Sequence, residues 1–322
     1  MDELDRKILY VIAENARESH NVLARRIRCS REVFDYRIRK LEEEGIIVKY
    51  QARVNISNFI YGGYIVLLKV SPFPTQTAKK YLDALKRDSR TQYIGNIGGD
   101  YDYIIGFTVK NLEGLSSYID LIRDSFDSNI QKMNLITEIN ELKDSFQNLF
   151  AKSNEINNIV SMPSMGKKQV IDEIDKEIIL SLGKNSSLPS WRIAEKLGMS
   201  DVAIRKRIQK LVETRIILGF RTIMDLTKLN FEPYVLFLKV NFTNSEKEKS
   251  FNAFLQIDKR VTYAVKTIGE YDYVIRALFS NGAEFKSYWK ELRENFTDLY
   301  EIHALPEFET LYHTQLAESF LE

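Results

Sequence analysis

Leu4-Asp5-Arg6-Lys7-Ile8-Leu9 near the start of the chain and Ile174-Asp175-Lys176-Glu177-Ile178-Ile179 beyond its middle are two versions of one stretch, 170 residues apart. The offset then runs on without a gap. Asn15 meets Asn185, Ala24 meets Ala194, Ser30 meets Ser200, Arg37 meets Arg207, and Ile46-Ile47 meets Ile216-Ile217. Further along, Tyr64 meets Tyr234, Lys69-Val70 meets Lys239-Val240, Gly99 meets Gly269, Tyr101-Asp102-Tyr103 meets Tyr271-Asp272-Tyr273, Tyr118 meets Tyr288 and Phe126 meets Phe296. A register held this long marks a tandem duplication, so whatever one copy folds into, the other repeats.

Within each copy the apolar period changes halfway. Leu4, Ile8, Leu9 and Ile12 recur at helical spacing, Val22, Leu23 and Ile27 form a second short helix, and Phe34, Ile38 and Leu41 a third. Ser30 and Ser200 stand where a hydroxyl caps the third helix, and Gly45 ends it in copy 1. An extended stretch follows through Tyr50, Ala52 and Val54, and through Phe220 and Ile223 in copy 2, which reads as a small β-wing. The second half begins with a strand from Tyr64 to Val70 and a helix near Gln76 to Lys86. Strands near Tyr93 to Ile97 and Asp102 to Val109 come next, then a helix near Leu112 to Phe126 and a strand near Lys132 to Ile139. That order, βαββαβ, is the ferredoxin-like sandwich, an antiparallel sheet with two helices on one face. The expected fold class is α+β, two tandem units, each a winged helix-turn-helix followed by a ferredoxin-like module. The expected boundaries are 1–56 and 60–150 for the first pair, 151–170 for an Asn- and Ser-rich linker, and 171–226 and 230–322 for the second pair. The open face of each sheet needs a partner, so the modules should pair within or between chains, giving a homo-oligomer. The tail after Pro306 reads only as strand or helix.

Composition sets limits. An apolar share of 44% and a charged share of 28% are those of an ordinary globular protein. Net charge is only +1, so any nucleic-acid contact has to come from local concentrations of charge. Cys29 is the single cysteine, which excludes an internal disulfide and any thiolate metal cluster, and neither a metal nor a cofactor is expected. The first residues lack the apolar stretch of a signal peptide, and the longest apolar run, around Tyr64 to Val70, is too short for a membrane span. A cytoplasmic protein without membrane association is expected.

Charge is concentrated at the third helices. Residues 25–40 carry seven basic against two acidic side chains, and residues 192–210 six against two. With the apolar stripes turned inward, the outer faces leave Ser30, Arg31, Tyr36, Arg37, Arg39 and Lys40 in copy 1 as candidates for contact with double-stranded DNA. Copy 2 offers Ser200, Asp201, Arg205, Lys206, Arg207 and Lys210. The alternative is a solvated amphipathic face, but two such helices, each third in a three-helix head, favour DNA. Tyr36 and Arg39 stand opposite Lys206 and Gln209 in the repeat, so a palindromic operator is not guaranteed.

A second constellation is the turn Gly98, Gly99, Asp100 and Asp102, matched by Gly269, Glu270 and Asp272. Its amides and carboxylates suit the two charged ends of an amino acid, and a purely structural turn explains it almost as well. Nothing catalytic stands out. His20, His303 and His313 form no recurrent pattern with Cys29 or a serine, and no phosphate loop is present.

The head residues Leu4-Asp5, Ile8-Leu9, Asn15, Leu23-Ala24, Ser30, Arg37-Ile38, Leu41-Glu42, Gly45-Ile46-Ile47 and Tyr50, with the Gly99-x-x-Asp102 hairpin, resemble the Lrp/AsnC family of feast/famine regulators. The likeness covers nearly the whole chain, twice. It implies a transcription regulator whose second modules pair sheet to sheet and take an amino-acid effector near the hairpin. Copy 2 departs from the pattern with Arg215 in place of Gly45 and with Gly183-Lys184 before Asn185, which implies an altered turn and wing there. Two other readings share this architecture: an architectural DNA-binding protein without effector, and a siroheme decarboxylase. The decarboxylases tend to carry an arginine pair in the wing and use a histidine in the second module. Here the wings read Val48-Lys49 and Leu218-Gly219, and residues 60–150 contain no histidine, so an enzyme is not expected.

Overall fold

The computed structural model describes residues 1–55, 62–72, 75–152, 155 and 171–314. Most of the expected linker lies outside these. The chain divides into two compact units: residues 1–58, 144–231 and 257–262 hold both helical heads, and residues 59–143, 232–256 and 263–322 hold both sheet modules.

Each head is three helices. Copy 1 has α1 (Glu3–Ala13), α2 (His20–Arg26) and α3 (Arg31–Glu43). Most of the stripe that gave their period is the core, with Ile8, Leu9, Ile12, Leu23, Phe34, Ile38 and Leu41 buried, whereas Leu4 and Ile27 are half-buried and Val22 is exposed. The strand β1 (Ile47–Val54) follows α3. The sheet module of copy 1 comprises β2 (Gly62–Val70), α4 (Thr75–Arg87), β3 (Thr91–Ile97), β4 (Tyr103–Val109), α5 (Leu112–Phe126) and β5 (Ile130–Asp144). A short α6 (Gln147–Phe150) returns to the head unit. Copy 2 repeats the series as α7 (Glu173–Lys184), α8 (Ser190–Leu197), α9 (Asp201–Glu213), β6 (Ile217–Met224), β7 (Glu232–Val240), α10 (Ser245–Ile257), β8 (Val261–Ile268), β9 (Tyr273–Phe279), α11 (Gly282–Asn295) and β10 (Leu299–His313). The chain after Pro306 is therefore strand as far as His313, and residues 315–322 lie outside the described residues.

The wings differ from expectation. Each head contributes one extended strand, and β1 pairs antiparallel with β6, so the two heads share a two-stranded sheet. Gln51 lies opposite Arg221, its own repeat equivalent, with Tyr50 opposite Thr222 and Ala52 opposite Phe220. Such a register is that of a two-fold axis through the Gln51–Arg221 pair. Bonds flanking the strands obey the same symmetry: Ala16 N–H donates to Phe220 O at 2.8 Å and Ser186 N–H to Tyr50 O at 2.9 Å, and Asn55 and Asp225 donate to Ile216 O and Ile46 O at 2.9 Å each. Arg215 occupies the same left-handed turn as Gly45, at φ 57° against 68°. The turn of copy 2 is thus retained despite the cost of a side chain there.

At the axis the symmetry of side chains ends. Gln51 donates to Gly183 O at 3.0 Å, whereas Arg221, 1% exposed, reaches Asp144 at 2.7 Å through its carboxylate and at 2.9 Å through its carbonyl. Glu14 joins this side through the hydroxyl of Ser145, and burial pushes its carboxyl up against the pull of Arg221.

In the module unit, β3-β4-β2-β5 and β8-β9-β7-β10 are the two ferredoxin-like sheets, each with the order expected for βαββαβ. They join edge to edge, β10 on β3 and β5 on β8, into a closed barrel of eight strands, which leaves no unpaired edge. The pairing of modules thus occurs within one chain. Ile65, Leu67 and Ile136 from copy 1 and Val235, Phe237 and Leu305 from copy 2 fill one shared core, while the helices of copy 1 cover a second core around Val66, Phe107, Tyr118 and Ile122.

Removing one member of a buried ion pair leaves the other charge without compensation, at a cost of roughly 3–5 kcal/mol. Arg221→Ala is therefore expected to lower stability by about 3 kcal/mol, read as the midpoint of denaturant unfolding followed in the head unit. The volume-matched Asp144→Asn, Arg221→Met pair should recover most of that loss.

Candidate nucleic-acid interface

In each head the second and third helices meet at a tight turn. Arg28 (φ 59°) and Gly198 (φ 63°) hold its left-handed position, and the next N–H, of Cys29 or Met199, closes on Ala24 O or Ala194 O at 3.0 Å. The Ser30 hydroxyl accepts from Val33 N–H at 3.3 Å and the Ser200 hydroxyl from Ala203 N–H at 3.2 Å. Both serines act first as caps of their helices.

On α3, Arg31 and Tyr36 are each 60% exposed, and Arg39 and Lys40 are exposed beside them. Asp35 on the same helix is held below its ordinary value by His20, 2.5 Å away, and then by Arg31, which keeps its charge compensated inside the head. On α9, Arg205, Lys206 and Lys210 are exposed. Asp201, placed by the sequence at the DNA face, instead has its carboxylate taken up by Ser190 and Arg205. Ser190 and Arg205 thus hold this carboxylate within its own head. The ion pairs of Arg31 and Arg205 are exposed i,i+4 pairs, worth little against a phosphate.

Two arginines do not lie where the sequence reading put them. Arg37 donates to Asp2 at 2.6 Å and Asp5 at 3.0 Å, and Arg207 donates to Asp172 and Asp175 at 2.8 Å each. Each thereby clamps its third helix to the N-terminus of the first. Arg37 and Arg207 are thereby structural members of the heads. The reading also missed Trp191, half exposed with Arg192 stacked 4.4 Å from its ring, while Val202, 62% exposed, lies on the outer face of α9 where the helical spacing puts it. Trp191 falls off the Ile193–Ala194 stripe of α8, and that was the available signal.

At the sheet hairpins, Asp102 and Asp272 are engaged by the backbone: each accepts from the N–H of the neighbouring strand, Val70 or Val240, at 2.8 Å, and Asp102 also pairs with Lys69 at 3.0 Å. Both carboxylates are thus engaged by the backbone of the neighbouring strand. The glycines are packed as well. Gly98 lies against Phe308 and Pro306, Gly99 (φ 89°) against Leu305, and Gly269 against the backbone of Leu135 and Ile136, so each hairpin abuts the last strand of the other copy. Asp100 and Glu270 remain at the turn tips. Asp100 is 70% exposed with His303 at 4.0 Å, Glu270 accepts from Asn134, and both carboxylates act on Lys132, whose ammonium lies 4.6 Å over the Tyr101 ring. Among the described residues no cluster suited to a metal ion is found, and no helix is long and apolar enough to cross a membrane.

Two basic helix-turn-helix heads and a barrel of paired ferredoxin-like sheets define a class of duplicated DNA-binding-type proteins. Family models agree: one described as winged helix-turn-helix DNA-binding matches residues 1–48, and the AsnC-type helix-turn-helix domain matches residues 171–212. The chain is 29% identical over 135 residues to the HTH-type transcriptional regulator Ptr1 of Methanocaldococcus jannaschii, covering 42% of this chain and 88% of that one. It is 28% identical over 121 residues to the transcriptional regulator AzlB of Bacillus subtilis, covering 37% and 76%. The crystal structure of the siroheme decarboxylase NirDL superposes with a TM-score of 0.63 at 13% identity, covering 99% of this chain and 97% of that one, a likeness of fold. Both heads thus match helix-turn-helix models, the second the AsnC-type one, and the chain is similar to the Lrp/AsnC regulators in a tandem-duplicated form.

The clamps carry a pH dependence. Asp172 is held below the ordinary aspartate value of 3.8, first by the N–H of Asp175 and then by Arg207. A depressed folded value contributes stability above the unfolded value and loses it as pH falls through the folded one. The melting temperature of the head unit should therefore stay level from pH 7 down to about 5 and fall below pH of about 4. Asp172→Asn should start lower at neutral pH and fall less steeply, as read by calorimetry.

Proposed function

We propose that this protein is a cytoplasmic, sequence-specific transcription regulator that binds double-stranded DNA through α3 and α9, works as a homo-oligomer and responds to an amino-acid effector. The observation that carries this reading is the pair of repeat-related third helices, each with its apolar stripe buried and its basic face open. The relatives named as transcriptional regulators support it. Phosphate contacts come from Lys40 in one head and from Arg205, Lys206 and Lys210 in the other. The effector site is placed at the hairpin tips, where Asp100 and Glu270 face an ammonium and Lys132 a carboxylate. Homo-oligomers form through apolar side chains left outside the barrel, such as Ile268 (65% exposed) and Phe308 (64%).

The full-length fold likeness to a siroheme decarboxylase favours one second reading, a tetrapyrrole enzyme. His303 and His313 are the histidines of the module unit, both on β10, and His303 Nε2 lies 2.8 Å from Glu301. An iron tetrapyrrole titrated into the protein should give no saturable shift of its absorbance band. Saturable binding followed by decarboxylation would establish the enzyme instead.

For the regulator, each phosphate contact contributes about 0.9 to the logarithmic salt slope on duplex DNA. Arg205→Ala with Lys206→Ala should weaken operator binding by at least about tenfold and lower that slope by roughly two. Unchanged binding removes α9 from the interface. Affinity that rises with duplex length and ignores sequence would mark an architectural protein. Asp100→Ala with Glu270→Ala should abolish any melting shift produced by a panel of amino acids.

A further inference from the structure

The two heads are locked in one arrangement, yet their outer faces are chemically different. The β1·β6 register relates α3 and α9 by a two-fold axis, which presents the two helices to two half-sites in inverted orientation. At equivalent places, α3 carries Arg31 where α9 carries Asp201, and Arg39 where α9 carries Gln209. Asp201 is already engaged within its own head, so the first outward residue of α9 is Val202. Arginine reads guanine through two parallel hydrogen bonds, glutamine reads adenine in the same manner, and an apolar side chain reads the thymine methyl.

Resting on the regulator reading above, we propose that the operator is not a palindrome. It joins a guanine-containing half-site under head 1 to an adenine- and thymine-containing half-site under head 2, and the chain binds it in one polarity. Head 1 reads with Arg31 and Arg39, head 2 with Val202 and Gln209, whose amide exchanges its exposed bond to Glu213, 2.7 Å away, for the base. The asymmetry extends to the axis, where Arg221 engages Asp144 on one side while Gln51 engages Gly183 on the other. The heads therefore cannot exchange places. A homodimer of identical heads has no means of telling one direction along DNA from the other. This chain does.

The test is selection of bound duplexes from a random pool with the full-length chain, repeated with Gln209→Arg. This substitution lies on an exposed face and is compatible with folding. The wild-type protein should enrich a consensus that is not its own inverted complement. The variant should change one half-site only, from adenine towards guanine at a single position by about tenfold or more. A palindromic wild-type consensus would overturn the asymmetry while leaving the regulator standing, as would a variant that alters both half-sites or neither. Failure to enrich any sequence over the starting pool would sink the regulator reading itself.

Discussion

The antiparallel pairing of β1 with β6 is the constraint on which the geometry of the head unit depends. Two strands alone are marginal in water. Here they persist because residues 51–54 of β1 and 221–224 of β6 are buried, both apolar and polar ones. Burying polar side chains is tolerable only when they find partners. Arg221 does so through Asp144 and Gln51 through Gly183. The backbone bonds from Ala16, Asn55, Ser186 and Asp225 extend the pairing beyond the strands themselves. The heads are thus joined by a dense polar network whose bonds have direction, which sets an angle more sharply than an apolar contact does. Two third helices held in this way have their mutual alignment fixed during folding, so the entropic cost of aligning them is met before any partner is encountered.

The barrel follows a different logic. Each ferredoxin-like sheet covers one face with helices and leaves the other open, and the two open faces are satisfied by one another. Val66 and Phe107 point to the helix side and Ile65 and Ile104 to the shared interior, the alternation that a strand imposes. Edge-to-edge joining of β10 to β3 and β5 to β8 then satisfies the backbone of the outer strands. The hairpins at Gly98–Gly99 and Gly269 can approach the last strand of the other copy only because a side chain there would collide with it. Glycine is in these turns for close approach as much as for backbone angle.

Much of this was legible in the residues. The repeat, the three-helix heads with their stripes, and the βαββαβ order appear where periodicity put them, because each has a local signal. The head-to-head sheet had none. A lone extended segment says nothing of its partner, and Gln51, Arg53 and Arg221, polar and buried, obscure which face of the strand is inside. At the interface, Arg37 and Arg207 look like surface charges when only their own helix is read. Yet Asp2 and Asp5 stand at the same distance from Arg37 along the chain as Asp172 and Asp175 from Arg207, a doubled spacing that betrays a clamp. Asp102 and Asp272 read equally well as ligand contacts and as turn residues, and in the fold they accept from the amides of Val70 and Val240. A carboxylate beside a glycine turn does either task, and only the folded neighbour decides which.

The residue on a two-fold axis has a peculiar fate. In a pair of identical polypeptides, position 51 would meet its own copy, so a buried arginine there would confront a second buried arginine at the centre of the joint. Fusion of the halves lifted that restriction, and Arg221 now faces the neutral amide of Gln51. Once such a charge is installed on one side alone, separating the halves again would set two like charges against each other for the second half. The duplication has in this sense become irreversible: each half is built to meet the other and is no longer suited to meeting itself.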